Sequence, residues 1–108
     1  MVKTPIQKKI VSLLGELKAS DIILLDVRSL TLITDFMIVC TGKTGRQLQA
    51  TAVKLAEALK KQIKSIRIEG SPDSGWVLID CGEVLVHVMT PEIRSFYALE
   101  KLWDTSEP

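Results

Sequence analysis

Aromatic residues are scarce in this chain of 108 residues, since Trp, Tyr and Phe together make up only 5% of it. Apolar runs are short as well, and none approaches the roughly 20 consecutive apolar residues that a membrane-spanning helix needs. The apolar segment after Lys8 and Lys9 is interrupted at Gly15 and Glu16, which is not typical of a secretory signal peptide. We therefore expect neither membrane association nor a secretory leader.

Cysteine and histidine are also rare. Cys40 and Cys81 lie in or beside apolar runs, which is typical of a protein in a reducing cytoplasm, although one disulfide between them is possible. The single histidine, His87, has no Cys or Asp at the spacing of a shared metal site. The sequence therefore predicts a cytoplasmic protein without a metal ion or another cofactor.

The residues that are present indicate one globular domain. Hydrophobic residues make up 46% and charged residues 25% of the chain, close to the average for globular proteins. We expect a single domain over residues 1–108, with residues 104–108 as a flexible tail.

The net charge of +1 hides an asymmetry along the chain. Residues 1–64 hold eleven basic and five acidic side chains, whereas residues 65–108 hold three basic and eight acidic ones. Nucleic-acid binding favours clustered positive charge, so this pattern predicts no direct sequence-specific contact with nucleic acid. Both sets of charges could equally be solvated faces without a partner.

Periodicity and turn signals predict the order helix, two strands, helix, three strands, helix. Residues 4–7 and 44–47 are capping boxes that begin the first two helices, with Pro5 at the first helical position. We place the second helix at residues 44–64 and the last at residues 90–103. The strands are predicted at residues 21–27, 36–40, 65–69, 76–80 and 84–89. The fold class is therefore α/β in the broad sense (α+β), with one mixed sheet and three helices packed on it.

One motif imitates a phosphate-binding loop. Gly42, Lys43 and Thr44 lie between a strand and a helix, but the glycine that such a loop needs five residues earlier is replaced by Met37. A weaker anion site at the start of the helix stays open. Asp35 and Asp80 end or precede strands, where aspartate is more often a turn cap than half of a catalytic pair.

The aromatic residues point to a surface. Strand alternation places Trp76 on the same face as Leu78 and Asp80, directly after a polar loop. Tyr97 lies at helical spacing from Arg94, at the border of an apolar stripe formed by Phe96, Leu99 and Trp103. Trp and Tyr at such borders can anchor an interface, although they can also simply cover the core.

Several segments together resemble the Iojap-type ribosomal silencing factors (the RsfS family). They are DIILLDV at residues 21–27, TDFMIVCTG at 34–42 with Arg46 and Gln47, Glu69 with Gly70, WVLIDCG at 76–82, VHVM at 86–89 and RSFYALEKLW at 94–103. The resemblance implies a nucleotidyltransferase-like fold in which that superfamily's pair of catalytic carboxylates has no counterpart, and therefore a protein that is not an enzyme. A nucleotide-binding or catalytic protein on the same fold is the alternative.

The resemblance also implies a partner. Similar proteins bind a ribosomal protein on the intersubunit face of the large ribosomal subunit, block joining of the small subunit and repress translation, and organellar members act in ribosome biogenesis. Strand and helix phase, combined with the family motif, then predict the contact residues, and a homodimer is possible. The predicted contact residues are Glu69, Trp76, Asp80, His87, Met89, Arg94, Tyr97 and Glu100.

Overall fold

A five-stranded sheet organises the part of the chain that the computed structural model describes, residues 5–98 and Lys101. The strand order is β1-β2-β5-β4-β3; β2 and β5 are parallel, and the other neighbours are antiparallel. The predicted mixed sheet and the predicted order of elements are both confirmed. The elements are α1 (Ile6–Glu16), β1 (Ser20–Asp26), β2 (Phe36–Thr41), α2 (Gly45–Leu59), β3 (Arg67–Ser71), a 3-10 turn (Pro72–Ser74), β4 (Trp76–Asp80), β5 (Val84–Met89) and α3 (Pro91–Tyr97).

Helices α1 and α2 cover one face of the sheet. Alternate residues of β4 and β5 turn their side chains to this face, because side chains on a strand point to opposite sides in turn. They meet the apolar stripes of the two helices, and the resulting core carries most of the fold's hydrophobic stabilisation. Its fully buried members include Ile10 and Leu14 of α1, Leu48, Ala52, Leu55 and Leu59 of α2, and Val77, Ile79, Val84, Val86 and Val88 of the sheet.

Among the described residues, the opposite face carries a small second core. Val27, Met37, Val39 and Met89 are buried there, with Trp76 and Ile93 packed against them in part. Ile93 belongs to α3, so this seven-residue helix covers only part of the face. The rest of this surface, which we call the open face, holds the partly exposed side chains of β4.

The start of α2 is as predicted, and its end is not. The amide of Gln47 donates to the Thr44 hydroxyl at 3.2 Å, but the Gln47 side chain accepts from the amide of Lys43 at 2.7 Å and not from Thr44. The helix ends at Leu59, five residues before the predicted end. Lys60, Lys61 and Lys64 therefore follow the helix and do not occupy its last turn. Ile63 continues the helical spacing of apolar residues beyond Leu59, and for this reason the predicted helix was too long.

The N-terminal end of α1 and the C-terminal end of α3 differ from the prediction, and parts of both predicted helices lie outside the described residues. Pro5 is the N-cap residue of α1 and not its first helical residue, and Thr4 lies outside the described residues. Helix α3 begins at Pro91 as predicted, but it ends at Tyr97 because Ala98 adopts a left-handed conformation at φ 46°. Most of the remaining predicted helix, including Leu99 and Trp103, and the predicted tail lie outside the described residues.

Strand β3 is the edge strand next to β4, and it is shifted by two residues from its predicted position. All five of its residues are exposed, so Ile68 is not half-buried on a core face. Ile66 packs against the core just before the strand begins. A charged, short edge strand of this kind resists uncontrolled pairing with other sheets.

Candidate functional site

Strand register brings the predicted contact residues Glu69, Trp76 and His87 into one neighbourhood of the open face. Leu78 of β4 pairs with His87 of β5 on one side and with Glu69 of β3 on the other, so these three side chains form one row across the sheet. Trp76 pairs with Met89 in the next row. The predicted strand phase is thereby confirmed, because Val77 and Ile79 are buried on the helix-covered face.

Three rings meet above this row. The indole N–H of Trp76 donates to Nδ1 of His87 at 3.0 Å, and the centroids of the two rings are 5.8 Å apart. The ring of Tyr97, from the last turn of α3, lies 4.9 Å from that of Trp76 at a tilt of 54°. Tilted contacts at this distance are the favourable geometry for aromatic pairs. The His87 hydrogen bond on one side and the Tyr97 ring on the other therefore fix the orientation of the Trp76 side chain.

A cavity of about 340 Å³ opens beside these rings, between β3, β4, β5 and α3. We call it the aromatic pocket. Its walls are apolar and aromatic apart from the carboxylate of Glu69, the hydroxyl of Ser74 and the imidazole of His87. The lining residues are Glu69, Gly70, Ser74, Trp76, Leu78, His87, Ile93 and Tyr97.

The imidazole of His87 is neutral. Only 8% of the residue is exposed, and burial lowers its pKa to about 4. Since Nδ1 accepts the Trp76 hydrogen bond, the proton of the neutral ring is on Nε2. Nε2 is buried and has no hydrogen-bond partner among the described residues, so the residue that lines the pocket carries one unpaired donor.

We expect the free energy of unfolding to fall by about 2 kcal/mol between pH 7 and pH 5 because of His87 alone. The folded state keeps this ring neutral down to pH about 4, whereas the unfolded chain takes up a proton near pH 6.5, so acid favours unfolding in that window. Urea unfolding at both pH values checks this, with His87→Gln as a control that lacks the titrating group. An equal pH dependence in both proteins would show that His87 is not buried as a neutral ring.

Two other predicted contact residues lie away from the aromatic pocket. Asp80, at the far end of β4, accepts from the Gly82 amide at 2.9 Å and pairs with Arg67 at 3.2 Å, so it caps the hairpin turn. Arg94 donates to the carbonyl of Asp21 at 2.6 Å and to the hydroxyl of Thr41 at 2.8 Å, which ties α3 to β1 and β2. Both residues hold the framework of the open face.

Met89 cannot line a binding surface, because its side chain is fully buried in the small core beneath Trp76. Strand alternation predicted its face correctly, but α3 covers that part of the face. Met89 therefore supports the pocket from below. Glu100 lies outside the described residues.

Two amides of the segment that imitates a phosphate-binding loop donate within the chain. The Gly42 amide donates to the Met89 carbonyl at 3.0 Å and the Lys43 amide to the Gln47 side chain. A side chain at Gly45 would come within 2.4 Å of the Pro72 carbonyl, so the start of α2 packs directly on the 3-10 turn. Within residues 5–98, no group of three or more His, Cys, Asp or Glu residues could hold a metal ion.

Both cysteines are free and buried. Burial raises the pKa of Cys40 to about 12 and that of Cys81 to about 11, so both thiols stay protonated near neutral pH. They pack as small apolar side chains in the core under the helices. No helix in the described part of the chain is long and apolar enough to cross a membrane.

Sequence reasoning missed several exposed apolar side chains. Phe96 was assigned to an apolar stripe, but 78% of it is exposed, and its ring lies 4.9 Å from that of Tyr97. The loop between β1 and β2 exposes Leu30, Leu32 and Ile33, whose apolar character in an expected loop was the available signal. The exposed aromatic surface is therefore larger than predicted.

A larger cleft of about 980 Å³ lies elsewhere, between α1, the segment after α2 and the hairpin turn. Lys8, Lys9 and Lys64 are among the residues that line it. None of the predicted contact residues that the structure describes lines this cleft. We place the candidate site at the aromatic pocket, because ring contacts, a fixed Trp76 and an unpaired buried donor converge there.

Comparison with known proteins identifies the family. The family described as "Ribosomal silencing factor during starvation" matches residues 3–108. A ribosomal silencing factor of Zymomonas mobilis is 43% identical over 72 residues, which are 66% of this chain and 54% of that protein. A crystal structure of a protein from Chromobacterium violaceum superimposes with a TM-score of 0.86 at 40% identity, covering 95% of this chain and 87% of the other.

A mouse relative named "Mitochondrial assembly of ribosomal large subunit protein 1" is 36% identical over 98 residues, which are 87% of this chain and 43% of that protein. The fold and the pocket define a small α+β protein with an aromatic surface on the open face of a mixed sheet. The chain belongs to the ribosomal silencing factor (RsfS) family.

Proposed function

We propose that this protein binds a ribosomal protein on the intersubunit face of the large ribosomal subunit and thereby blocks joining of the small subunit. The observation that carries the proposal is the convergence of Trp76 and Tyr97 on an open sheet face, in a chain that belongs to the ribosomal silencing factor family. The name of the mouse relative, which refers to the ribosomal large subunit, supports the choice of subunit. We propose the cytoplasm as its location, because blocking subunit joining requires a compartment in which free large and small subunits meet.

The chemistry of the open face suits a protein partner. Trp and Tyr are enriched at interface centres, where a few such anchors supply most of the binding energy. Trp76 is held by Tyr97 and His87 before any partner arrives, so little side-chain entropy remains to be lost on binding. Apolar surface continues from Tyr97 to the exposed Phe96.

The proposed mechanism is steric and needs no reaction. Occupancy of the large subunit by a folded domain prevents the small subunit from reaching the same surface. Residues on the open face and on α3 make the contact, and the helix-covered side of the sheet faces away. Glu69, Trp76, His87 and Tyr97 are the proposed contact residues, and Glu100, which lies outside the described residues, remains a proposed contact from the sequence alone.

Co-sedimentation through a sucrose gradient tests this proposal. We expect the protein to migrate with purified bacterial large subunits and not with small subunits. Adding small subunits to large subunits that were first saturated with the protein should leave the two subunits as separate peaks. Migration with small subunits, or normal formation of the joined ribosome at saturation, would contradict the proposal.

Charge should control how fast the complex forms. Glu69 lines the pocket and is exposed, and the exposed Asp73 and Glu92 directly precede two other lining residues in the chain. Ribosomal proteins are typically basic partners. We expect the association rate to fall by about tenfold when ionic strength rises from low salt to a level at which the screening length is below about 10 Å, with a smaller change in the dissociation rate.

Stopped-flow mixing with large subunits measures this rate. Glu69→Gln should reduce the rate and its salt dependence, whereas Glu57→Gln, an exposed position on α2, is the matched control and should change neither. Salt-independent association of the unmodified protein would show that the acidic surface does not face the partner.

A further inference from the structure

His87, which lines the aromatic pocket, carries a buried N–H group with no acceptor among the described residues. Its Nδ1 accepts from Trp76, so Nε2 carries the proton, and this buried N–H has no partner among the described residues. More than nine-tenths of the residue is buried, and its ring lines the pocket. Buried donors in proteins are almost always paired, so an unpaired one beside a cavity indicates a missing partner atom.

We propose that the His87 Nε2–H donates a hydrogen bond to a neutral carbonyl oxygen of a polypeptide segment that enters the aromatic pocket. This proposal rests on the proposed function and specifies what the partner presents to the site. His87 would thus determine specificity, while Trp76 and Tyr97 supply the contact area.

The surroundings of Nε2 decide which kind of oxygen can accept its hydrogen bond. A phosphate or carboxylate oxygen is unfavourable, because the Glu69 carboxylate lines the same pocket and the neutral imidazole offers no compensating charge. Leu78 and Ile93 form apolar walls that suit the aliphatic part of a peptide. A backbone carbonyl, or the amide carbonyl of Asn or Gln, meets all of these conditions, whereas the phosphates of ribosomal RNA do not.

Access to Nε2 requires a small movement. Tyr97 is about half exposed, stacks on Trp76 and lines the same pocket. Helix α3 ends directly after it, at Ala98. Because Nε2 itself is buried, the entering segment must displace a side chain that lines the pocket, and we propose that the half-exposed Tyr97 ring is the one that moves.

The tautomer is tested first on the free protein. His87 is the only histidine in the chain, so long-range proton–nitrogen correlation spectra of uniformly labelled protein contain one imidazole. We expect a protonated Nε2 and an unprotonated Nδ1 at neutral pH. The reverse tautomer would overturn the proposal, and this result does not depend on any variant folding.

Two substitutions then separate the two nitrogens of His87. His87→Gln keeps an N–H group near the position of Nε2, whereas His87→Asn keeps an acceptor near Nδ1 and removes that N–H. We expect His87→Asn to bind large subunits about tenfold more weakly than His87→Gln, because the partner's carbonyl is left unpaired. Equal affinities, or the opposite order, would overturn the proposal.

Unmodified protein and Trp76→Ala serve as references in the same titration. If the unmodified protein does not bind large subunits, the proposed function fails and this proposal fails with it. A different outcome separates the two proposals. If the unmodified protein binds large subunits, if Trp76→Ala does not, and if both His87 variants bind equally well, then only the proposed role of His87 is refuted.

Discussion

Replacing Trp76 with alanine is expected to weaken binding to the large ribosomal subunit by about 30-fold or more. The indole is the centre of the aromatic pocket, in contact with Tyr97 on one side and hydrogen-bonded to His87 on the other. Truncation removes its contact area and also releases the two rings that it orients. Equilibrium titration of labelled protein against large subunits measures the change.

The same variant should remain folded. Trp76 is only partly buried and packs on the small core, so its loss should cost less than the about 3–5 kcal/mol typical of a fully buried Trp. Leu55→Ala is the matched control, because Leu55 belongs to α2 and is fully buried in the core on the other side of the sheet. We expect it to lose about 2–5 kcal/mol of stability and to bind normally below its melting temperature.

The two variants together distinguish an anchor from a core residue. If Trp76→Ala destabilises the protein as much as Leu55→Ala does, or stays folded and binds normally, then Trp76 is not a binding anchor.

Replacing Gly70 with alanine is expected to lower the free energy of unfolding by about 3 kcal/mol. Gly70 has φ 92°, and an added Cβ would lie 2.3 Å from the Trp76 carbonyl oxygen, so β3 must move away from β4. The same movement displaces the backbone that carries Trp76. We therefore expect weaker binding to large subunits as well as lower stability.

Gly82→Ala is the control for this prediction. Gly82 also has a positive φ, 81°, but an added Cβ there would meet nothing within 4 Å. Only the backbone strain remains, which costs about 1 kcal/mol. Urea unfolding of both variants gives the comparison, and equal losses of stability would show that close packing of β3 on β4 is not what requires glycine at position 70.

Local pattern was sufficient to predict most of the fold. Alternation in β4 and β5 identified which side chains face the helices, and the capping residue Thr44 identified the start of α2. The errors lie where local pattern and tertiary packing disagree. Ile63 extends a helical period beyond Leu59, yet the helix has already ended and Ile63 contacts the core from a loop.

The candidate site was predictable only in part, because local pattern does not contain the tertiary packing that shapes it. Alternation shows that His87 and Met89 share a face, but it cannot show that α3 covers Met89 and leaves His87 beside a cavity. Arg94 was predicted at the site from helical spacing. Its bonds to Asp21 and Thr41 join residues 73 and 53 positions apart, which no short-range pattern contains.

The most direct test of the central claim is the rate of subunit joining, followed by light scattering after small subunits are mixed with large subunits. If the protein acts by occupying the intersubunit face through its aromatic pocket, large subunits saturated with it should fail to join. Trp76→Ala at the same concentration, set at about ten times the Kd of the unmodified protein, should leave most of the joining intact. Joining that proceeds normally with saturating unmodified protein, or inhibition that is equally strong with Trp76→Ala, would contradict the account.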